Sequence, residues 1–71
     1  MKVDTNLLRD EMDKQNLNIT DLSEKSGVDK STVSRLLNGR QCSIETAQRI
    51  TAALKLSPMK AGIIFFASKV A

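Results

Sequence analysis

The chain has 71 residues and a formal net charge of +3, with 41% hydrophobic and only 3% aromatic residues. A chain of this length forms one small domain, whose core is too small for the deep cleft that many enzymes use. The sequence contains no histidine and a single cysteine, Cys42, which excludes a zinc cage and an internal disulfide.

The charge is unevenly distributed along the chain. Residues 1–24 hold three basic and six acidic residues, a net charge of −3. Residues 25–71 carry a net charge of +6, with Asp29 and Glu45 as their only acids. A basic surface, suited to an anionic partner, is therefore predicted downstream of the first helix.

The first two helices are predicted from their capping residues. Asp4 can cap a helix of about residues 5–15. Asn18 can cap a second helix of residues 19–26, and Asp21 lies three residues later, where its side chain can bond back to the cap. The buried sides of these helices are predicted to contain Leu8, Met12, Ile19 and Leu22.

A short turn and a third helix follow. Gly27 can take the left-handed conformation that ends a helix, and Val28 supplies an apolar contact in the turn. Asp29 is the expected cap of a helix over residues 30–38, which Gly39 terminates. One face of this helix is apolar (Val33, Leu36, Leu37), and the other is polar (Lys30, Ser31, Thr32, Ser34, Arg35).

Two more helices complete the prediction. Ser43 caps a fourth helix whose apolar residues recur at helical spacing, namely Ile44, Ala47, Ile50 and Leu54. Ser57 and Pro58 open a fifth helix, predicted over about residues 58–69, since proline is well tolerated in a first turn. No stretch alternates in the manner of a strand, so the fold is predicted to be all-α.

The fifth helix allows two interpretations. Met59, Ile63, Phe66 and Val70 share one face, which can pack on the domain. Ile64 and Phe65 lie off that face and are predicted to form an exposed interface between two copies of the chain. Alternatively, all of residues 63–66 are buried, because small domains need every apolar residue for their core.

Two helices joined by a short glycine-containing turn form a helix-turn-helix. The segments "NITDLSEKSGVDKSTVSRLLNGR" and "SIETAQRITAALKLSP" resemble the lambda-repressor/Cro-like (XRE-type) DNA-binding family, particularly its small phage-type regulators, over about residues 5–66. The resemblance implies one five-helix domain spanning residues 1–71, with the helix-turn-helix at about 19–38. It also implies that the third helix enters the major groove of double-stranded DNA.

One pair of residues departs from this family. Many relatives place an arginine on the first helix opposite a glutamate late in the third, where this chain has Met12 and Leu37. Replacing a buried ion pair by an apolar contact is often neutral or stabilising. We therefore expect Met12 to touch Leu37.

The resemblance also implies which residues meet DNA. Serine, threonine and arginine can bond base edges or phosphates. The expected base contacts are Lys30, Ser31, Ser34 and Arg35, and the expected backbone contacts are Asn18, Thr32, Asn38 and Arg40. Two alternatives remain open: Lys30 and Arg35 can be plain solvated charges, and Asn18 can serve only as a helix cap.

The expected function is a sequence-specific transcriptional regulator of the Cro or repressor kind, binding a palindromic operator as a homodimer. The alternative is an antirepressor that binds a partner repressor protein. An enzyme is not expected, because no nucleophile–base pair or phosphate-binding glycine loop is present. Neither a cofactor, a metal, a small-molecule substrate nor a membrane is expected, and the predicted location is the cytoplasm.

Overall fold

The structure is a computed structural model that describes residues 2–65. Its five helices are α1 (Thr5–Lys14), α2 (Ile19–Ser26), α3 (Lys30–Leu37), α4 (Ile44–Leu54) and α5 (Pro58–Phe65). Residues 2–65 contain no strand, and the predicted all-α fold is confirmed. The predicted extension of the fifth helix over residues 66–69 lies outside the described residues.

Side-chain caps fix where most of these helices begin. The side chain of Asn18 accepts the backbone N–H of Asp21 at 2.8 Å, and the Asp21 carboxylate accepts the N–H of Asn18 at 3.2 Å. The side chains of Asp4 and Ser43 each accept one backbone N–H at the start of α1 and α4, from Leu7 and Thr46. Three of the four predicted caps therefore hold, and each satisfies an amide that would otherwise lack a partner.

Asp29 is the exception among the predicted caps. It precedes α3, but its side chain makes no hydrogen bond to the helix backbone. Its carboxylate accepts the hydroxyl of Ser31 instead. The start of α3 thus leaves backbone N–H groups available to another acceptor.

The helices enclose one aliphatic core. α2 packs against α3 and α4, while α1 packs against α3 and α5. The largest fully buried side chains are Phe65, Leu8, Leu22, Leu36, Ile50, Leu54, Ile64 and Val33. Across residues 2–65 this arrangement leaves one side of α3 exposed, at Lys30, Ser31 and Arg35.

Three predictions about burial are wrong. Met59 and Ile63 were placed on the face of the fifth helix that packs on the domain, but they are 77% and 46% exposed. Ile44 was placed on the apolar face of the fourth helix that forms the core, but it is the first residue of α4 and is 61% exposed. Ile64 and Phe65 were expected to form an exposed dimer interface, but their exposures are 1% and 0%. The alternative, in which all of residues 63–66 are core, fails at Ile63, which is 46% exposed.

The N-terminal segment explains the burial of Ile64. The backbone N–H of Asp4 donates to the carbonyl of Ile64 at 2.8 Å, and the neighbouring Val3 is buried in the same core. α1 then packs along α5. Contacts from residues some sixty positions earlier therefore decide which side of α5 faces inward, while Met59 is left 77% exposed on the other side.

Candidate nucleic-acid interface

The exposed side of α3 carries the polar residues that the sequence places there. Lys30, Ser31 and Arg35 are exposed, whereas Val33 and Leu36 on the opposite side are buried. Ser34 and Thr32 are half-buried between the two sides. The apolar residues anchor the helix in the core and so fix the direction in which the polar residues point.

The turn between α2 and α3 sets the position of that side. Gly27 ends α2 with a left-handed φ of 71°, and its N–H donates to Ser23 at 2.9 Å. The hydroxyl of Ser23 donates to the carbonyl of Val28 at 2.6 Å. Ser26 donates to Leu22 at 2.7 Å and accepts the N–H of Val28 at 3.1 Å. These hydrogen bonds hold the turn closed.

Both serines were missed by the sequence analysis. Ser26 is the one polar residue that is buried among the described residues. A serine in the last turn of a helix, followed by Gly27 and Val28, is the signal that could have indicated this role, since short hydroxyl side chains readily bond nearby backbone groups.

An open groove lies between the start of α2 and the exposed side of α3. It is lined by Asn18, Ile19, Thr20, Lys30, Ser31 and Ser34. The fold thus brings three of the four predicted base contacts beside Asn18. Sequence reasoning did not single out Thr20, whose hydroxyl adds a hydrogen-bonding group to the same groove.

The remaining predicted contacts lie elsewhere around α3. Asn38 follows the helix, Gly39 turns the chain with a φ of 90°, and the N–H of Arg40 donates to Arg35 at 3.0 Å. Asn38 and Arg40 are exposed at this end of the helix. Thr32 is half-buried and does not line the groove.

The cations near α3 are not neutralised by neighbouring carboxylates. Across residues 2–65 the ion pairs are Arg49–Glu45, within α4, and Lys60–Glu11, between α5 and α1. Lys30, Arg35 and Arg40 take part in neither. Their charges therefore remain available to an anionic partner, and they surround a helix whose N-terminal amides favour anions as well.

Comparison with known protein families identifies the family to which this chain belongs. A helix-turn-helix family model matches residues 8–60, which include α2, the turn and α3. The chain belongs to the XRE-type, lambda-repressor/Cro-like helix-turn-helix family. Proteins of this family are DNA-binding regulators. No curated protein and no solved structure gave a significant match.

The departure of this helix-turn-helix chain from its family is visible between α1 and α3. Met12 and Leu37 are both buried and line one small cavity together with Arg9 and Leu17. The side chain of Arg9 reaches the same place, where its Nη2 donates to the carbonyl of Leu37 at 2.8 Å. The two apolar side chains thus share one pocket and one core, and a side-chain-to-backbone hydrogen bond joins the two helices, while direct contact of Met12 with Leu37 stays a prediction.

A second polar cluster links α1 to α5, away from the helix-turn-helix. The ammonium of Lys60 lies 2.8 Å from Oε1 of Glu11, and Gln15 donates both to Oε2 of Glu11 and to the carbonyl of Leu54. The bond to Lys60, assisted by Gln15, lowers the pKa of Glu11. The same bond raises the pKa of Lys60. This cluster serves the packing of α5.

Other functional residue types have ordinary roles in the part of the chain that the structure describes. Burial raises the pKa of the Cys42 thiol, so that its reactive thiolate form is disfavoured. Among residues 2–65 no three His, Cys, Asp or Glu side chains lie where they could together hold a metal ion. None of the five helices has the length and apolar character needed to cross a membrane.

Proposed function

We propose that this protein is a sequence-specific transcriptional regulator that reads the major groove with α3. The observation that carries the proposal is the groove in which Asn18 lies beside Lys30, Ser31 and Ser34. A helix held at its apolar side, with hydroxyl and cationic groups on the other, can present those groups to base edges.

We assign base contacts and backbone contacts to different parts of this surface. Lys30, Ser31, Ser34 and Arg35 are proposed to contact bases. Lys30, Ser31 and Arg35 are exposed on α3, and the half-buried Ser34 lines the groove beside Lys30 and Ser31. The proposed phosphate contacts, at the two ends of the helix-turn-helix or beside it, are Asn18, Thr32, Asn38 and Arg40. Backbone contacts fix the position of a protein on DNA, whereas base contacts supply its specificity.

The proposed role of Asn18 is compatible with its role as a cap. Its side-chain oxygen accepts the N–H of Asp21 at 2.8 Å, and Asn18 is nevertheless exposed. The side-chain amide NH₂ of an asparagine is still able to donate when its oxygen accepts. One residue can therefore stabilise the start of α2 and donate to a phosphate.

We further propose that the protein binds a palindromic operator as a homodimer. A single recognition helix reads few base pairs, and two copies related by a twofold axis would place their α3 helices about 34 Å apart on the duplex. The exposed apolar residues of α5 available for pairing are Met59 and Ile63. This replaces the interface expected at Ile64 and Phe65, which are core residues.

The test of the proposed function is selection of binding sites from random duplexes by the purified full chain. A palindromic motif supports a homodimeric regulator, and a single half-site motif supports a regulator that binds as a monomer. If no sequence is enriched, the proposal is wrong, and the antirepressor that grips a partner repressor becomes the better hypothesis. A regulator of this kind needs access to the cell's DNA, so we expect it in the cytoplasm.

Pairing is tested separately, by changing both Met59 and Ile63 to serine. We expect the variant to stay folded and bind a half-site like the wild type, but to lose cooperative binding to the full operator. Sedimentation and titration on full and half operators measure this. Unchanged cooperativity would show that the copies pair through another surface.

A further inference from the structure

Arg9 makes a hydrogen bond that connects α1 to the end of the recognition helix. It is an exposed residue of α1, and its Nη2 atom donates to the carbonyl of Leu37, the last residue of α3, at 2.8 Å. The two residues are 28 positions apart in the sequence. A contact of this range is set by the fold and is not a local feature of either helix.

The bond completes the hydrogen bonding of the α3 C-terminus. The last four carbonyls of a helix have no partner within it. Here the carbonyls of Ser34, Arg35 and Leu36 accept backbone N–H groups from Asn38, Arg40 and Gly39, at 3.0 to 3.1 Å. The carbonyl of Leu37 receives the guanidinium of Arg9 instead. A cation at a helix C-terminus is also favoured by the helix dipole.

The segment directly after this bond carries two of the proposed phosphate contacts. Asn38 and Arg40 flank Gly39, whose φ of 90° turns the chain away from the helix. Glycine at such a turn resists distortion poorly, because many backbone conformations are open to it. A donor that grips Leu37 therefore restrains the point from which this segment leaves α3.

We propose that Arg9 is a positioning residue, which holds the C-terminal end of α3 and the segment of residues 38–40 in the geometry that DNA binding requires. The inference rests on the proposed function. Arg9 acts through the carbonyl of Leu37 and does not itself contact DNA. Its loss weakens binding by loosening the surface that meets the duplex.

The experiment compares Arg9→Met, Arg9→Lys and the control Lys14→Met, which removes one exposed charge from the same helix. Arg9→Met keeps the aliphatic length but loses the donor, while Arg9→Lys retains a charged donor. Affinity for the selected site is measured over a range of salt concentrations. Amide hydrogen exchange of Gly39 and Arg40 is measured on the free protein.

We expect Arg9→Met to lower affinity about ten-fold at every salt concentration, the order of magnitude of one hydrogen bond from a charged donor. Exchange of the Gly39 and Arg40 amides should become faster. Arg9→Lys should restore most of the wild-type affinity and most of the wild-type exchange protection. Lys14→Met should change neither quantity.

Several results would overturn the proposal. The slope of the logarithm of affinity against the logarithm of salt concentration measures how many ions are released on binding. A slope that falls by about one ion in Arg9→Met would show that Arg9 contacts a phosphate directly. Unchanged affinity, or unchanged exchange at residues 39 and 40, would show that the bond positions nothing. If Arg9→Met fails to fold, the bond serves the whole domain. If the wild type selects no DNA sequence, the proposed function fails, and the role of Arg9 in binding fails with it.

Discussion

α3 and the described part of α5 each span eight residues, yet only α3 presents the side that its sequence predicts. In α3 the residues at helical spacing divide cleanly into apolar and polar, so only one orientation buries the first and exposes the second. In α5 nearly every residue is apolar or small, and several orientations would bury similar surface. The difference teaches that an amphipathic pattern determines the orientation of a helix, whereas general hydrophobicity leaves it to the neighbouring elements.

The sharpest test of this comparison uses two neighbouring isoleucines of α5. Ile64 is 1% exposed and Ile63 is 46% exposed. Ile64→Ala should lower the free energy of unfolding by about 2–5 kcal/mol, because it leaves a cavity in the core. That is a large part of the roughly 4–10 kcal/mol expected for a chain of this size.

Ile63→Ala is the matched control for this experiment. It removes the same atoms from an exposed position and should change the free energy of unfolding by less than about 1 kcal/mol. Urea titration of both variants measures the two values. Equal losses would mean that α5 is not oriented as described.

A smaller effect is expected on the exposed side of α3. Arg35→Ala should weaken binding to the selected operator by about 1–3 kcal/mol and relax preference at one base position. Arg40→Ala should weaken binding to every sequence and make the salt dependence shallower. Titrations with operator and random duplexes separate the two variants, and equal losses on both duplexes for Arg35→Ala would remove it from the base contacts.

The glycine in the turn before α3 and the glycine inside α5 have different roles. Gly27 ends α2 before α3 with a φ of 71°, so Gly27→Ala should cost about 1–2 kcal/mol of stability. Gly62 lies inside α5, and a Cβ there would meet nothing within 4 Å. Gly62→Ala should therefore stabilise the protein by about 0.5–1 kcal/mol. Thermal unfolding measures both, and the comparison breaks if the two melting temperatures shift in the same direction.

The smallest effect concerns the pH dependence of α5 packing. Because Lys60 and then Gln15 lower the pKa of Glu11 in the folded state, its ionised form stabilises the fold above the ordinary pKa of about 4.5. This stabilisation is lost as the pH falls through the lowered value. Glu11→Gln should therefore flatten the acid side of the stability profile.

Glu45→Gln is the control for the pH experiment, since Glu45 pairs with Arg49 on the exposed surface of one helix and joins no two elements. Unfolding is followed by circular dichroism from neutral pH downwards. An acid profile that Glu11→Gln leaves unchanged would mean that the Lys60 contact does not hold α5 to α1.

The sequence was most informative where the chemistry is local. Asn18 and Asp21 cap α2 as predicted, and Gly27 takes the left-handed conformation that its position indicated. The site was predictable to the extent that it lies on α3, because Lys30, Ser31 and Arg35 project from a helix whose other side is plainly apolar. These features depend on neighbours within a few residues.

Features that depend on distant residues were not predictable. The burial of Ile64 goes with a hydrogen bond from Asp4, and Arg9 meets Leu37 through the packing of α1 on α3. Helix propensity and residue spacing do not predict such contacts, because the contacts form only when the helices pack together.

The central claim is that the exposed side of α3, and not the apolar surface of α5, meets DNA. It is tested most directly by titrating isotope-labelled protein with a duplex that carries a single half-site, on which two copies do not pair, and following each backbone amide by NMR. We predict the largest chemical-shift changes at residues 30–35 and at the start of α2 near Asn18, with little change around Met59. Changes confined to α4 and α5, with α3 unaffected, would contradict the account.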